Sequence, residues 1–147
     1  MYLRIVIILA QLKKMMKSIL LIDDEDINLF ILQNLLRLSG INADIVFFNT
    51  AMKGINYLQD LIDKGEKFPD LILLDIEMPV MNGWDFLDMY KQFDKTHIYD
   101  CKVIIFTTSI VEQDMVKAKS YEEVEDFVNK PMTIEMLKTI QQEHFVN

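Results

Sequence analysis

From Ser18 onward, short continuous apolar runs alternate with longer stretches in which apolar residues recur every three or four positions. The first kind suits strands buried on both faces and the second suits amphipathic helices, so the alternation predicts a parallel sheet covered by helices on both sides. Strands are predicted over 18–23, 43–48, 70–75, 102–107 and 125–128. Between the first two, Ile27, Phe30, Ile31, Asn34, Leu35 and Leu38 keep helical spacing, and Gly40 stands where a C-cap takes a left-handed residue. A helix over Asp26–Ser39 is predicted.

Asn49-Thr50 can cap a second helix carrying Ile55, Leu58, Leu61 and Ile62, with Gly65 past its end and Pro69 opening the third strand. Trp84, Leu87, Met89, Tyr90 and Phe93 mark a third helix after the turn from Pro79 to Gly83. Met115 to Lys119 form a short fourth, and Thr133 caps a fifth that contains Met136, Leu137 and Ile140. Five β/α units result, without repeat or linker, and nothing after Asn147 remains for a second domain. The expected organisation is an N-terminal extension of unknown role over 1–16 and one domain over 17–147.

The extension differs in composition from the rest of the chain. Leu3 and the run from Ile5 to Ala10 are apolar and end at Gln11-Leu12-Lys13-Lys14, well short of the roughly 18 apolar residues that a membrane span needs. No small-residue cleavage site comes after it, which argues against a secretory signal. An added helix, or a start upstream of Met15-Met16, accounts for it. The chain of 147 residues carries a formal net charge of −8, which repels a phosphate backbone and argues against nucleic acid as a partner. One cysteine, Cys101, excludes an internal disulfide and suits the reducing cytoplasm.

Ligands of an open parallel sheet bind beyond the carboxyl ends of its strands. Asp23 and Asp24 follow the first predicted strand, Asp75 ends the third, Thr107 the fourth, and Lys130-Pro131 follows the fifth. Taken singly, each has a plainer explanation: an acidic helix start, a β-branched strand residue, a solvated loop lysine. Arriving together, they make a Mg²⁺-assisted phosphoryl-acceptor site. Mg²⁺ takes oxygen ligands from one or two carboxylates and keeps several waters. Asp24 and Asp75 can ligate it directly while Asp23 holds a coordinated water. Lys130 supplies a compact positive charge for the transferring oxygens, and Thr107 a hydroxyl for the phosphoryl group.

These motifs resemble the receiver domain of two-component response regulators. The most specific stretch is Leu73-Leu74-Asp75-Ile76-Glu77-Met78-Pro79-Val80-Met81-Asn82-Gly83, with Ile22-Asp23-Asp24-Glu25 and Phe127-Val128-Asn129-Lys130-Pro131 in the matching order. The resemblance spans roughly residues 17–146. It implies a doubly wound, flavodoxin-like α/β fold with strand order 2-1-3-4-5. It also implies Asp75 as phosphoacceptor, Asp23, Asp24, Asp75 and the Glu77 main-chain carbonyl as Mg²⁺ ligands, and Thr107 with Phe127 as the switch pair. The responsive surface is then the fourth helix, fifth strand and fifth helix. Thr108 is bulkier than the alanine or glycine common after the switch threonine, Glu77 and Ser109 hold positions that modulate dephosphorylation, and the segment from Ser120 to Asp126 lacks the usual Gly-Ala turn.

The expected function is that of a single-domain, cytoplasmic response regulator. It accepts a phosphoryl group from a histidine kinase or histidine phosphotransfer protein and signals to a downstream protein, with neither membrane nor nucleic acid as partner. It processes no external substrate and is not an enzyme in that sense. A phosphorylation-independent binding module is the alternative. A haloacid-dehalogenase-type phosphatase is further off, because that chemistry wants a second aspartate two residues after the nucleophile and Glu77 stands there. Trp84 and the ten methionines are expected to pack, His97 and His144 lack the context of a phosphohistidine carrier, and Cys101 is structural.

Overall fold

The computed structural model describes residues 1–6 and 16–145. The run from Ile5 to Ala10 that sets the extension apart falls largely outside the described residues, with the rest of 7–15. Residues 2–6 are helical. Strands β1 (Ser18–Ile22), β2 (Asp44–Phe48), β3 (Leu71–Leu74), β4 (Lys102–Thr107) and β5 (Val124–Asn129) pair in parallel in the order β2-β1-β3-β4-β5. The parallel sheet is the one the alternating pattern predicts, and its doubly wound, flavodoxin-like order is the one the family resemblance implies. Helices α1 (Asp26–Ser39), α2 (Ala51–Asp63), α3 (Gly83–Tyr90), α4 (Glu112–Lys119) and α5 (Ile134–His144) connect and cover the strands.

Alternation along the strands divides the core in two. Leu20, Ile22, Ile72, Leu74, Val103 and Ile105 meet the apolar stripes of α2 and α3 and Ala118 of α4. Ile19, Leu21, Leu71, Leu73, Ile104 and Phe106 meet Leu32 and Leu36 of α1 and Leu137 and Ile140 of α5. Strands buried on both faces have no polar side, which explains their near-continuous apolar runs.

The helix boundaries follow local chemistry. Gly40 ends α1 with φ of 75°. The side chains of Thr50 and Thr133 accept the Lys53 and Met136 N–H groups, and Asn82 with Asp85 closes a capping box over the first turn of α3. Three expectations need correction. Phe93 lies past α3, in a turn where its ring packs edge-on against Phe68 at 5.5 Å, so its spacing reflects the core and not a longer helix. α4 starts three residues before the expected Met115, and a single helical turn, Lys95–Ile98, capped by Asp94, precedes β4.

The face of α1 is the third correction. Its buried ladder is Asn28, Leu32 and Leu36, whereas Ile27, Phe30 and Leu38 of the expected stripe are 56%, 63% and 68% exposed. A helix with two apolar stripes satisfies helical periodicity on either face, and here the inner stripe includes the polar Asn28.

Candidate functional site

The carboxyl ends of β1, β3 and β4 open into one pocket. The ladder runs one residue past the strands: Asp75 N–H donates to the Ile22 carbonyl at 2.9 Å, and Asp23 N–H to the Phe48 carbonyl at 3.1 Å. Asp23 and Asp75 are thereby fixed side by side and are buried. Asp24, one residue further, is exposed at the mouth. Ligand atoms of Asp23, Asp24 and Asp75 all lie within 4.8 Å of one another, a cluster of oxygen donors that could hold a divalent cation.

Lys130 reaches this cluster from β5. Its N–H donates to the Thr107 carbonyl at 2.8 Å, the Lys130-Pro131 bond is cis, and the ammonium lies 2.7 Å from Asp23 Oδ2 and 3.1 Å from Asp75 Oδ2. Burial pulls the Lys130 ammonium down, but the hydrogen bonds and charges of Asp23 and Asp75 outweigh it and hold the group above its ordinary value.

Asp75 is 3% exposed, and that desolvation pushes its carboxyl up to about 6. The Glu77 N–H, which donates to Asp75 Oδ1 at 2.9 Å, and the charge of Lys130 oppose the shift, while the charge of Asp23 adds to it. Burying two neighbouring carboxylates is costly even with Lys130 against both, and a divalent cation relieves that cost. The donor set is entirely oxygen, which suits Mg²⁺.

Thr107 is buried at the end of β4, and its hydroxyl oxygen accepts the Ser109 N–H at 3.1 Å. Phe127 is half-buried in β5, opposite Ile105 and two residues before Asn129, which pairs with Thr107. Thr108 donates its hydroxyl to Glu77 Oε2 at 2.8 Å, tying the loop after β4 to the loop after β3. Beneath that tie, the Ser109 hydroxyl donates to Asp114 on α4.

Asn28 escaped the sequence reading. It is buried on α1, and its amide donates to Asp23 Oδ2 at 3.0 Å. The available signal was a polar residue in register with Leu32 and Leu36, at four-residue intervals on the inner stripe. Asn129 was read only as part of the lysine motif; its amide donates to the Ser109 carbonyl at 2.6 Å and bonds the loop after β4 to β5.

The β3–α3 loop is held tightly below the site. The Met81 N–H donates to the Pro79 carbonyl at 2.8 Å, closing a three-residue turn with Val80 at φ of 68°, a left-handed conformation that a β-branched residue seldom adopts. Gly83 comes next with no room for a side chain, since a Cβ there would lie 2.6 Å from the Asp75 carbonyl oxygen.

Fold and site define a flavodoxin-like α/β protein whose acidic pocket, at the carboxyl edge of the sheet, surrounds a buried aspartate and a fixed lysine. The chain belongs to the response regulator receiver domain family, whose profile matches residues 19–142. It is similar to a two-component response regulator of Cytophaga hutchinsonii, at 30% identity and a TM-score of 0.79 over 88% of this chain and 96% of that one. Halobacterium salinarum chemotaxis protein CheY is 28% identical over 118 residues, 80% of this chain and 87% of that protein. The sensor histidine kinase CheAY of Helicobacter pylori is 27% identical over 124 residues, and there the match spans only 14% of the larger protein. Receiver domains are signalling modules of two-component systems that meet histidine kinases and downstream targets, and the present chain is one of them.

Proposed function

We propose that this receiver domain accepts a phosphoryl group on Asp75, in a Mg²⁺-dependent reaction, from the phosphohistidine of a histidine kinase or histidine phosphotransfer protein. The observation that carries the reading is the buried Asp75 carboxylate with the Lys130 ammonium at 3.1 Å and two further carboxylates beside it. An Asp75 oxygen attacks phosphorus, the P–N bond of the donor breaks, and its electron pair stays on the imidazole. Lys130 remains protonated and faces the developing charge, so its role is electrostatic. Asp23, Asp24, Asp75 and the Glu77 main-chain carbonyl would hold Mg²⁺, which supplies charge neutralisation at the transferring oxygens. Asn28 and Lys130 both bond Asp23 Oδ2 and so orient its carboxylate.

Readout is by conformational change and protein contact. Thr107 turns its hydroxyl toward the phosphoryl group, giving up the bond it accepts from Ser109, and Phe127 moves inward behind it. The bond from Ser109 to Asp114 carries that shift to α4. Ile110, Val111, Met115 and Val116 are exposed on α4 and the loop before it, an apolar surface for the downstream protein. At the other side of the pocket mouth, exposed Ile27 and Phe30 stand just after Asp24 and form the surface that receives the donor.

On this reading residues 17–147 form the receiver and 1–16 an extension, the setting is the cytoplasm, and no external substrate is turned over. Among the described residues no helix is long and apolar enough to cross a membrane. The test is intact-protein mass after incubation with acetyl phosphate and Mg²⁺. A gain of one phosphoryl group, absent from Asp75→Asn and abolished by EDTA, is expected. A folded wild-type protein that gains nothing overturns the acceptor reading.

A further inference from the structure

A second set of ligand-capable side chains lies away from the acidic pocket, where β5 meets the C-terminal turn of α5. A register irregularity between Val103 and Ile104 leaves Glu125 without a partner and sets Asp126 opposite Ile104. Asp126 Oδ1 accepts the Phe127 N–H at 2.8 Å, which fixes the carboxylate. Its Oδ2 lies 3.3 Å from His144 Nε2. The carboxylate of Glu143, free of hydrogen bonds and ion pairs among the described residues, completes a group whose ligand atoms all lie within 4.8 Å of one another.

We propose that Asp126, Glu143 and His144 form a binding site for a borderline divalent transition cation of the zinc class. An imidazole nitrogen with two carboxylate oxygens is a donor set for zinc-like ions, and it differs in kind from the all-oxygen pocket around Asp75. Bonds of about 2.0–2.1 Å in a tetrahedron separate ligand atoms by about 3.3 Å, and the pair Asp126–His144 already stands at 3.3 Å. Glu143 is exposed, so its carboxylate is free to close the remaining distance, leaving the fourth position to water.

A second feature points the same way. Gln141 is 8% exposed, and both amide atoms lack a partner among the described residues. It precedes His144 by three positions, on the same side of α5. Buried amides are normally satisfied, so these unpartnered atoms one turn before His144 are open to a bond with water held by an ion. The cation ties the edge strand to the end of the last helix. Both elements belong to the surface expected to respond to phosphorylation, although the site itself does not depend on that reading.

The experiment is a Zn²⁺ titration of the full chain by calorimetry in millimolar Mg²⁺, repeated with Co²⁺ to read the coordination number from its visible absorption. Wild type and Asp23→Asn should each bind one equivalent with a four-coordinate cobalt spectrum and a raised thermal midpoint. His144→Ala and Glu143→Gln should each weaken binding about tenfold or more. Glu143→Gln separates this site from a purely structural Asp126–His144 pair, because it leaves the metal-free midpoint unchanged and still lowers Zn²⁺ affinity. Equal affinity in wild type, His144→Ala and Glu143→Gln overturns the proposal, as does a site lost in Asp23→Asn alone or the absence of any bound Zn²⁺.

Discussion

The Lys130 ammonium sits closer to Asp23 than to Asp75, 2.7 Å against 3.1 Å. Asp23 therefore anchors the lysine, and the longer contact faces Asp75, the proposed phosphoacceptor. Lys130→Met strips the positive charge from between two buried carboxylates, and breaking such a buried pair costs about 3 kcal/mol or more. Urea unfolding without metal should show that loss. Phosphoryl uptake from acetyl phosphate should fall about a hundredfold, the scale for losing one fixed electrostatic partner. Uptake at the wild-type rate in a folded Lys130→Met protein would remove the lysine from the chemistry.

Asp75 makes stability depend on pH in an unusual direction. Burial raises its folded-state pKa to about 6 from 3.8, so the folded protein binds this proton more tightly than the unfolded chain does. The group costs most above the folded value, and the cost disappears as pH falls from about 6 to the unfolded value, a span worth about 3 kcal/mol. Metal-free protein should gain stability between pH 7 and pH 5 from this group. Saturating Mg²⁺ should flatten the dependence, because the cation rather than a proton then compensates the buried charge. A thermal midpoint that falls over that window without metal, and equally with it, contradicts this account of Asp75.

Gly83→Ala tests the packing beneath Asp75, the proposed acceptor. The added methyl would meet the Asp75 carbonyl oxygen and Ile76 Cα, each at 2.6 Å. Neither is a flexible side-chain end, so the loop itself must shift, at about 2–3 kcal/mol for an overpacked site. Chemical denaturation should register that loss, and phosphoryl uptake should slow because Asp75 is displaced with its own backbone. A substitution that costs less than about 0.5 kcal/mol, the range of an unconstrained surface site, shows that the contact relaxes freely.

How far each part was legible in the sequence depends on its physics. Strands buried on two faces write themselves as unbroken apolar runs, so β1, β3 and β4 and the residues that end them could be read directly. Asp23, Asp24, Asp75 and Lys130 converge because the strand ends do, a property of topology and not of distance along the chain. The inner face of α1 could not be read that way, since Ile27-Phe30-Leu38 and Asn28-Leu32-Leu36 are equally helical in spacing and only the tertiary contacts choose between them. Asn28 was lost with that choice. The tie between Glu77 and Thr108 was hidden for a similar reason: its partners are 31 residues apart and meet only when the loops of β3 and β4 are placed.

That tie joins the loops that follow Asp75 and Thr107. Thr108→Ala removes the hydroxyl that holds Glu77 and clears side-chain volume beside Asp75. Small donors and attacking water should both reach the site more easily, so uptake from acetyl phosphate and loss of the acquired group should each speed up severalfold. Stability should drop by no more than about 1 kcal/mol, the net worth of one exposed hydrogen bond. Time-resolved intact mass reads both rates. A variant with unchanged rates shows that Thr108 and Glu77 do not restrict access.

Phe30 separates chemistry from donor recognition. It is 63% exposed on α1, so Phe30→Ser removes little buried apolar surface and should alter stability by no more than about 0.5 kcal/mol. Acetyl phosphate is too small to use that surface, and its transfer to Asp75 should proceed at the wild-type rate. A protein donor that docks over Ile27 and Phe30 loses an aromatic contact, and aromatic anchors at the centre of an interface are typically worth about 2 kcal/mol or more. Transfer from a phosphorylated histidine protein, followed at subsaturating receiver, should therefore slow at least tenfold. Equal slowing with acetyl phosphate would mean that the substitution disturbs the pocket itself, and no slowing with either donor would place the docking surface elsewhere.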